Sequence, residues 1–193
     1  MNENEVYELL QVGHLTITFD TNALYNSRTF FNICDKINLI NTKLKYEIKL
    51  IISSLVHAEK LFDLKQEYGD IYDIDQINQV LKAKKVSIAP FEYRHAEAVA
   101  QLIGRQFSTH KEWQNFKRQK CMNCLGLTET KNHIYRSGKK CGATVDWLIA
   151  GYVHAEKYLL ITNDKGNEFN NIEKKTTLEI LEKVVMRIQG KQA

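Results

Sequence analysis

Four acidic side chains are spaced so that they can act as one site. Leu15–Phe19 reads as a strand that runs into Asp20, and Leu159–Thr162 reads as a second strand leading through Asn163 to Asp164. In an open α/β sheet, ligands collect beyond the carboxyl ends of parallel strands, so acids at two such ends are expected to face one crevice. Glu59 and Asp146 fall within or at the start of apolar helical stretches. Carboxylates converging from separate elements repel one another, by roughly 4 kcal/mol for a pair about 4 Å apart at an effective dielectric near 20. A hard cation between them removes the conflict, and carboxylate oxygen is the donor that Mg²⁺ or Mn²⁺ takes. Two plainer roles stand beside this one. Glu59 can reach outward from the edge of its helix face, and Asp146 can serve the dipole of its own helix from the first turn.

The elements that must position these groups follow from periodicity. Leu15, Ile17 and Phe19 alternate with threonines, as a strand requires. Asn26 or Ser27 can cap a helix carrying Phe30, Phe31, Ile33, Ile37 and Ile40. Ile48–Ile52 reads as a short strand, and Ser54 as the N-cap of a helix with Leu55, Ala58, Glu59 and Phe62 on one face. A carboxylate in such a stripe must be paired, protonated or metal-bound, because burying it alone is costly. A helix is expected over Asp73–Lys85, a strand over Val86–Ala89, and a helix over His95–Arg105 with Ala96, Val99, Ala100 and Ile103 inward. Val145, Leu148, Ile149 and Tyr152 mark the face of another helix, and Thr177–Leu181 reads as a last strand or the start of a terminal helix. Strands alternating with helices imply βαβ units, hence an α/β domain with a central, mostly parallel sheet flanked by helices.

At 193 residues, with 44% apolar and 26% charged side chains, the chain can bury a core as one domain with a sizeable insertion. No run approaches the roughly 18 apolar residues of a membrane helix. The start, MNENEVYELL, lacks the basic and apolar regions of a signal peptide, so a cytoplasmic protein is expected. The net charge of +4 is unevenly spread. Residues 105–141 carry nine Lys/Arg against Glu112 and Glu129, a local charge of +7 that leaves −3 for the rest. An acidic body with one basic segment suits a polyanion held near metal-binding carboxylates; a solvated basic surface is the alternative.

Three stretches resemble successive motifs of the PIN-domain ribonucleases: FDTNALYN (Phe19–Asn26), SSLVHAEKLF (Ser53–Phe62) and ATVDWLIAGYVHAEKYLLITNDKGNEF (Ala143–Phe169). Within that family the likeness is greatest to the VapC-type toxins of bacterial toxin–antitoxin pairs. It implies a PIN-like fold in which Asp20, Glu59, Asp146 and Asp164 form the catalytic, metal-binding cluster, with Asn22 and Thr162 as auxiliary polar groups. It also implies Mg²⁺ or Mn²⁺ as cofactor, RNA as substrate and a small antitoxin protein as partner, with self-association left open. One or two such cations activate a water and stabilise the leaving oxygen of an in-line phosphodiester displacement. The expected function is therefore a metal-dependent endoribonuclease, as the toxin of such a pair. Two alternatives stand: a PIN-type nuclease in RNA processing or in defence against foreign nucleic acid, and a non-catalytic nucleic-acid-binding module.

The chain is longer than the family's usual domain, mainly through the basic segment at 105–141. There Cys121, Cys124, His133 and Cys141 follow a C-x2-C-x8-H-x7-C spacing. That pattern suits a Cys₃His zinc set, which would let a polar insert hold a shape; three unconnected thiols and a surface histidine are the alternative. Lys117, Arg118, Lys120, Arg136, Lys139 and Lys140 are candidates for phosphate contacts. Trp113 and Phe116 either stack bases or pack the insert onto the body. Cys34, in the phenylalanine-rich helix, is expected in the core.

Overall fold

The computed structural model describes residues 1–125 and 144–190. Five strands form one sheet: β1 (His14–Phe19), β2 (Glu47–Ser53), β3 (Val86–Ala89), β4 (Leu159–Ile161) and β5 (Lys175–Thr176). Every pairing is parallel and the order is β3-β2-β1-β4-β5. The chain therefore winds outward from β1 in one direction through β2 and β3, and later in the other through β4 and β5. The switch point lies between β1 and β4, where a crevice must open at the strands' carboxyl ends. Asp20 extends the pairing there by one bond, its N–H donating to the Ile161 carbonyl (2.9 Å).

Helices cover the sheet: α1 (Glu3–Gln11), the one-turn α2 (Thr21–Leu24), α3 (Ser27–Leu44), α4 (Ser54–Tyr68), α5 (Ile74–Ala83), α6 (Tyr93–Gln106), α7 (His110–Leu125), α8 (Val145–Glu156) and α9 (Leu178–Gly190). Their starts obey local capping chemistry. The Asn26 side chain accepts from Thr29 N–H, Ser53 from Val56 N–H, and Asp73 from the N–H groups of Asp75 and Gln76. The α/β class and parallel sheet expected from the sequence are what the chain forms. The ambiguous segment near Thr177 divides into the two-residue strand β5 and the terminal helix α9.

Three faces differ from expectation. On α4 the buried residue is Val56, while Phe62 is 56% exposed, so the stripe that carries Glu59 is not the buried face of the helix. On α6 the inward residues are His95, Ala98, Val99 and Leu102, and Ala96 and Ala100 face solvent. His95 can occupy that face because both ring nitrogens are satisfied: Nδ1 accepts from Glu92 N–H and Nε2 bonds Glu156 at 2.8 Å. On α8 burial runs almost all round, from Trp147 through Val153. Its Gly151 lies against α6 so closely that a Cβ there would stand 2.8 Å from the Val99 backbone nitrogen. Cys34 is fully buried, as expected. Among the described residues no helix is long and apolar enough to cross a membrane.

Candidate active site

Asp20 leaves the end of β1 and caps α2, with Oδ1 accepting from Thr21 N–H at 2.7 Å. Its Oδ2 accepts from Asn22 Nδ2 (2.6 Å) and from the Thr162 hydroxyl (2.8 Å). Thr162 stands just past β4, and its Oγ1 also accepts from Asp164 N–H (3.0 Å). One hydroxyl thus ties the acid after β1 to the backbone of the acid after β4. Asn22 reinforces the tie, its Oδ1 accepting from Asn163 N–H at 2.9 Å. The two auxiliary residues expected from the sequence therefore hold the loops of the switch point in register.

Glu59 reaches the same crevice from α4, where its Oε2 accepts from the Thr21 hydroxyl. Asp146 reaches it from the first turn of α8. A cleft of about 450 Å³ is lined by Asp20, Glu59, Asp146 and Asp164 together. All four acids singled out in the sequence meet there. Tyr25 stands on its rim and donates to Asp63 Oδ2 at 2.8 Å.

A fifth carboxylate lines the cleft, and sequence reasoning did not single it out. Glu168 follows β4 within a short 3₁₀ turn at Asn167–Phe169 and is 1% exposed. Gly166 makes room for it: a Cβ at that position would stand 2.2 Å from Glu168 Oε2 and 3.3 Å from Asp164 Oδ1. Its partner is Lys120 of α7, whose ammonium bonds Glu168 Oε1 and also Asp146 Oδ2 at 2.9 Å. Lys120, expected among the phosphate-contacting residues, is thus turned into the acidic cluster.

The helix that carries it is held by aromatic packing. Trp113 and Phe116 lie together with Phe107 and with Trp147, the neighbour of Asp146, at centroid separations of 5.0–6.4 Å. Trp113 and Phe116 therefore pack the helix onto the body. Lys117 lies over the Trp113 ring, and Arg118 is exposed with a hydrogen bond to Asn115. Arg136, Lys139 and Lys140 lie outside the described residues, as do the side chains of the zinc set Cys121, Cys124, His133 and Cys141.

The electrostatics show how crowded the acids are. Burial pushes the Asp20 carboxyl up to about 6, with Asp146 and Glu59 adding to the rise and the Thr162 and Thr21 hydrogen bonds opposing it. Burial also raises Asp146, and Asp164 adds to this, while the Lys120 ammonium pulls it down. Tyr25 is raised by burial and by the nearby Glu59 and Asp20. In kind the donor set fits Mg²⁺ or Mn²⁺: hard oxygens on a rigid frame, with a buried negative charge that a cation would relieve. In arrangement it is not closed, since no three His, Cys, Asp or Glu side chains among the described residues are gathered tightly enough to hold an ion. Lys120 bridges two of the acids.

No family model matches the chain, and no curated protein matches it. Among solved structures, a similar one is VapBC2 from Rickettsia felis, crystallised bound to a DNA fragment from its promoter. It is 18% identical, with a TM-score of 0.47, over 84% of this chain and 97% of that one. A likeness that distant leaves the chemistry to be judged from the cleft.

Proposed function

We propose that the protein is a Mg²⁺- or Mn²⁺-dependent endoribonuclease of PIN type, acting as a toxin held in check by a small antitoxin protein. The observation that carries the reading is the convergence of Asp20, Glu59, Asp146, Asp164 and Glu168 on one cleft at the switch point of a parallel sheet. Each acid comes from a loop or helix whose own capping or packing orients it. A structural role does not call for that concentration of acids around two buried carboxylates, Asp20 and Glu168; a cation-binding one does. The resemblance of the three sequence motifs gives the substrate class, RNA, and the toxin setting.

A bound divalent ion would supply an activated water and a counter-charge for the leaving oxygen. The rest falls to the chain itself. Asp20 and Asp164, joined through Thr162, offer oxygens to the ion, with Asp146 and Glu59 facing them across the cleft. Thr21 and Asn22 fix the orientation of Glu59 and Asp20, so that little reorganisation is needed when the ion arrives. A carboxylate of the same cluster accepts the proton of the attacking water. Lys117 and Arg118 on α7 hold the phosphate backbone, and Arg136, Lys139 and Lys140 are further candidates for phosphate contacts. Cys121, Cys124, His133 and Cys141 hold a structural zinc that shapes the insert.

One observation favours a second reading, a nucleic-acid-binding module with inert acids: Lys120 already occupies oxygens of Asp146 and Glu168. Incubating the purified protein with total RNA in Mg²⁺, Mn²⁺ or EDTA separates the two. The nuclease reading expects cleavage in either ion and none in EDTA; binding without cleavage in all three favours the module. Growth arrest on expression, relieved by a co-expressed product of an adjacent short reading frame, would support the toxin setting. Harmless overexpression of an active nuclease would favour RNA processing or defence.

A further inference from the structure

Lys120 is held in place by more than its own flexible stem. Trp113, Phe116 and Lys120 follow one another at i, i+3 and i+7, so they share a face of α7, and the two aromatic rings lock that face against Trp147. Trp147 adjoins Asp146 in sequence, so one packing cluster fixes both the lysine and the acid it meets. On the far side, Glu168 is buried with its carboxylate against Gly166, where a Cβ would meet it. A carboxylate that deeply buried is costly to leave unpaired, and Lys120 supplies a compensating cation from within the chain. The ammonium has three N–H donors, of which Asp146 and Glu168 take two.

The opposite half of the cluster is built differently. Asp20 and the backbone of Asp164 are joined by the Thr162 hydroxyl, and among the described residues the two carboxylates receive only neutral donors: backbone N–H groups, an amide and a hydroxyl. Among the described residues their charge is hydrogen-bonded but not neutralised. The cleft is therefore divided into a half that already contains a cation and a half that still calls for one.

We propose that Lys120 is the resident cation of the Asp146–Glu168 half, so that the protein takes a single divalent ion, on the Asp20–Asp164 side, and that removing the ammonium opens a second divalent site between Asp146 and Glu168. The inference rests on the divalent-ion reading given above. It adds that the basic insert does more than attract RNA, because it contributes one of the two cations of the centre. The third N–H of Lys120 then meets a non-bridging phosphate oxygen of the bound strand, the place a second metal ion takes in a two-metal centre.

The test is Mn²⁺ binding to full-length protein freed of Mg²⁺ and Mn²⁺ but with any zinc retained, without RNA, by titration calorimetry and electron paramagnetic resonance. Wild type and Lys120→Arg should each bind one Mn²⁺ per chain with the spectrum of an isolated ion. Lys120→Met should bind two, with the exchange-broadened spectrum of a close pair. If Lys120→Met does not fold, Lys120→Gln serves, since it keeps a polar amide in place of the ammonium but carries no charge. Equal stoichiometry in wild type and the neutral variants would overturn the proposal, as would two ions on the wild type, whatever the variants do. No ion on any form would instead remove the divalent-ion reading, and this proposal with it.

Discussion

Asp20→Asn is expected to become more stable relative to wild type as the pH rises, and the size of the change follows from the site. The Asp20 carboxyl is 4% exposed and titrates at about 6 in place of 3.8. At about 1.4 kcal/mol per pH unit, that difference is roughly 3 kcal/mol favouring the protonated form in the folded protein. Because the folded-state value is the higher one, this stabilisation is fully present below pH 3.8 and is lost as the pH rises through about 6. Asparagine carries no charge to bury. It keeps one acceptor for Thr21 N–H, but turns an amide towards Asn22 Nδ2 and the Thr162 hydroxyl, at a cost of about 1–2 kcal/mol that does not vary with pH. In EDTA, the variant's stability minus that of wild type should therefore rise by about 3 kcal/mol between pH 4 and pH 7.5, leaving a net gain of about 1–2 kcal/mol at the upper end. For a chain of this size the rise corresponds to roughly 6–12 °C in the Tm difference. Thermal melts of both proteins across that range measure it. A difference that stays flat with pH would refute the claim that Asp20 carries a buried, crowded charge. Adding Mg²⁺ at pH 7.5 should raise the Tm of wild type and leave that of the variant unmoved.

Other expectations follow from the same cleft. Gly166→Ala introduces no backbone strain, since φ is −61°, but its Cβ would collide with the Glu168 carboxylate; we expect a loss of about 1–3 kcal/mol in chemical denaturation and weaker Mn²⁺ binding. The control Gly104→Ala, in α6 with nothing within 4 Å of the new methyl, should gain up to about 1 kcal/mol. Charge reversal at Lys117 and Arg118 should lower the salt slope of RNA binding by about 1.4 if each contacts one phosphate of a single strand, while cleavage of a dinucleotide changes little. Protein purified without a histidine tag should contain about one zinc per chain, lost in Cys121→Ser and Cys124→Ser. Zinc-free protein would reduce the Cys/His spacing to coincidence.

The parts of the site that could be read from the sequence are those with local rules. Asp20 and Asp164 are legible because alternation marks where β1 ends and a short apolar run marks where β4 ends, and an acid follows each end. Asp146 is legible from its place in the first turn of an apolar helix. Glu168 is not, because nothing in KGNEF repeats; its burial arises from a turn packed beside α8, which is a tertiary fact. The inward turn of Lys120 carried a signal that was present but outweighed. Trp113, Phe116 and Lys120 recur at helical spacing, yet the surrounding charge reads as a polar loop, and only the aromatic cluster with Phe107 and Trp147 reveals which face is covered. The face of α6 differs from its periodicity for a related reason: periodicity counts histidine as polar, whereas His95 has both ring nitrogens satisfied and is buried. Local pattern thus finds strand ends and helices, while a polar residue that is buried because it is paired escapes it.

The most direct test of the central claim is a cleavage rate. Wild type, Asp20→Asn and Asp146→Asn would be purified in parallel, each shown to be folded by its melting transition, and assayed on the same RNA in Mg²⁺ or Mn²⁺. Both substitutions remove an oxygen donor from the cleft while keeping the shape of the side chain. The account predicts cleavage by wild type that EDTA abolishes, and no detectable cleavage by either folded variant. A wild-type rate in Asp20→Asn or Asp146→Asn would contradict it.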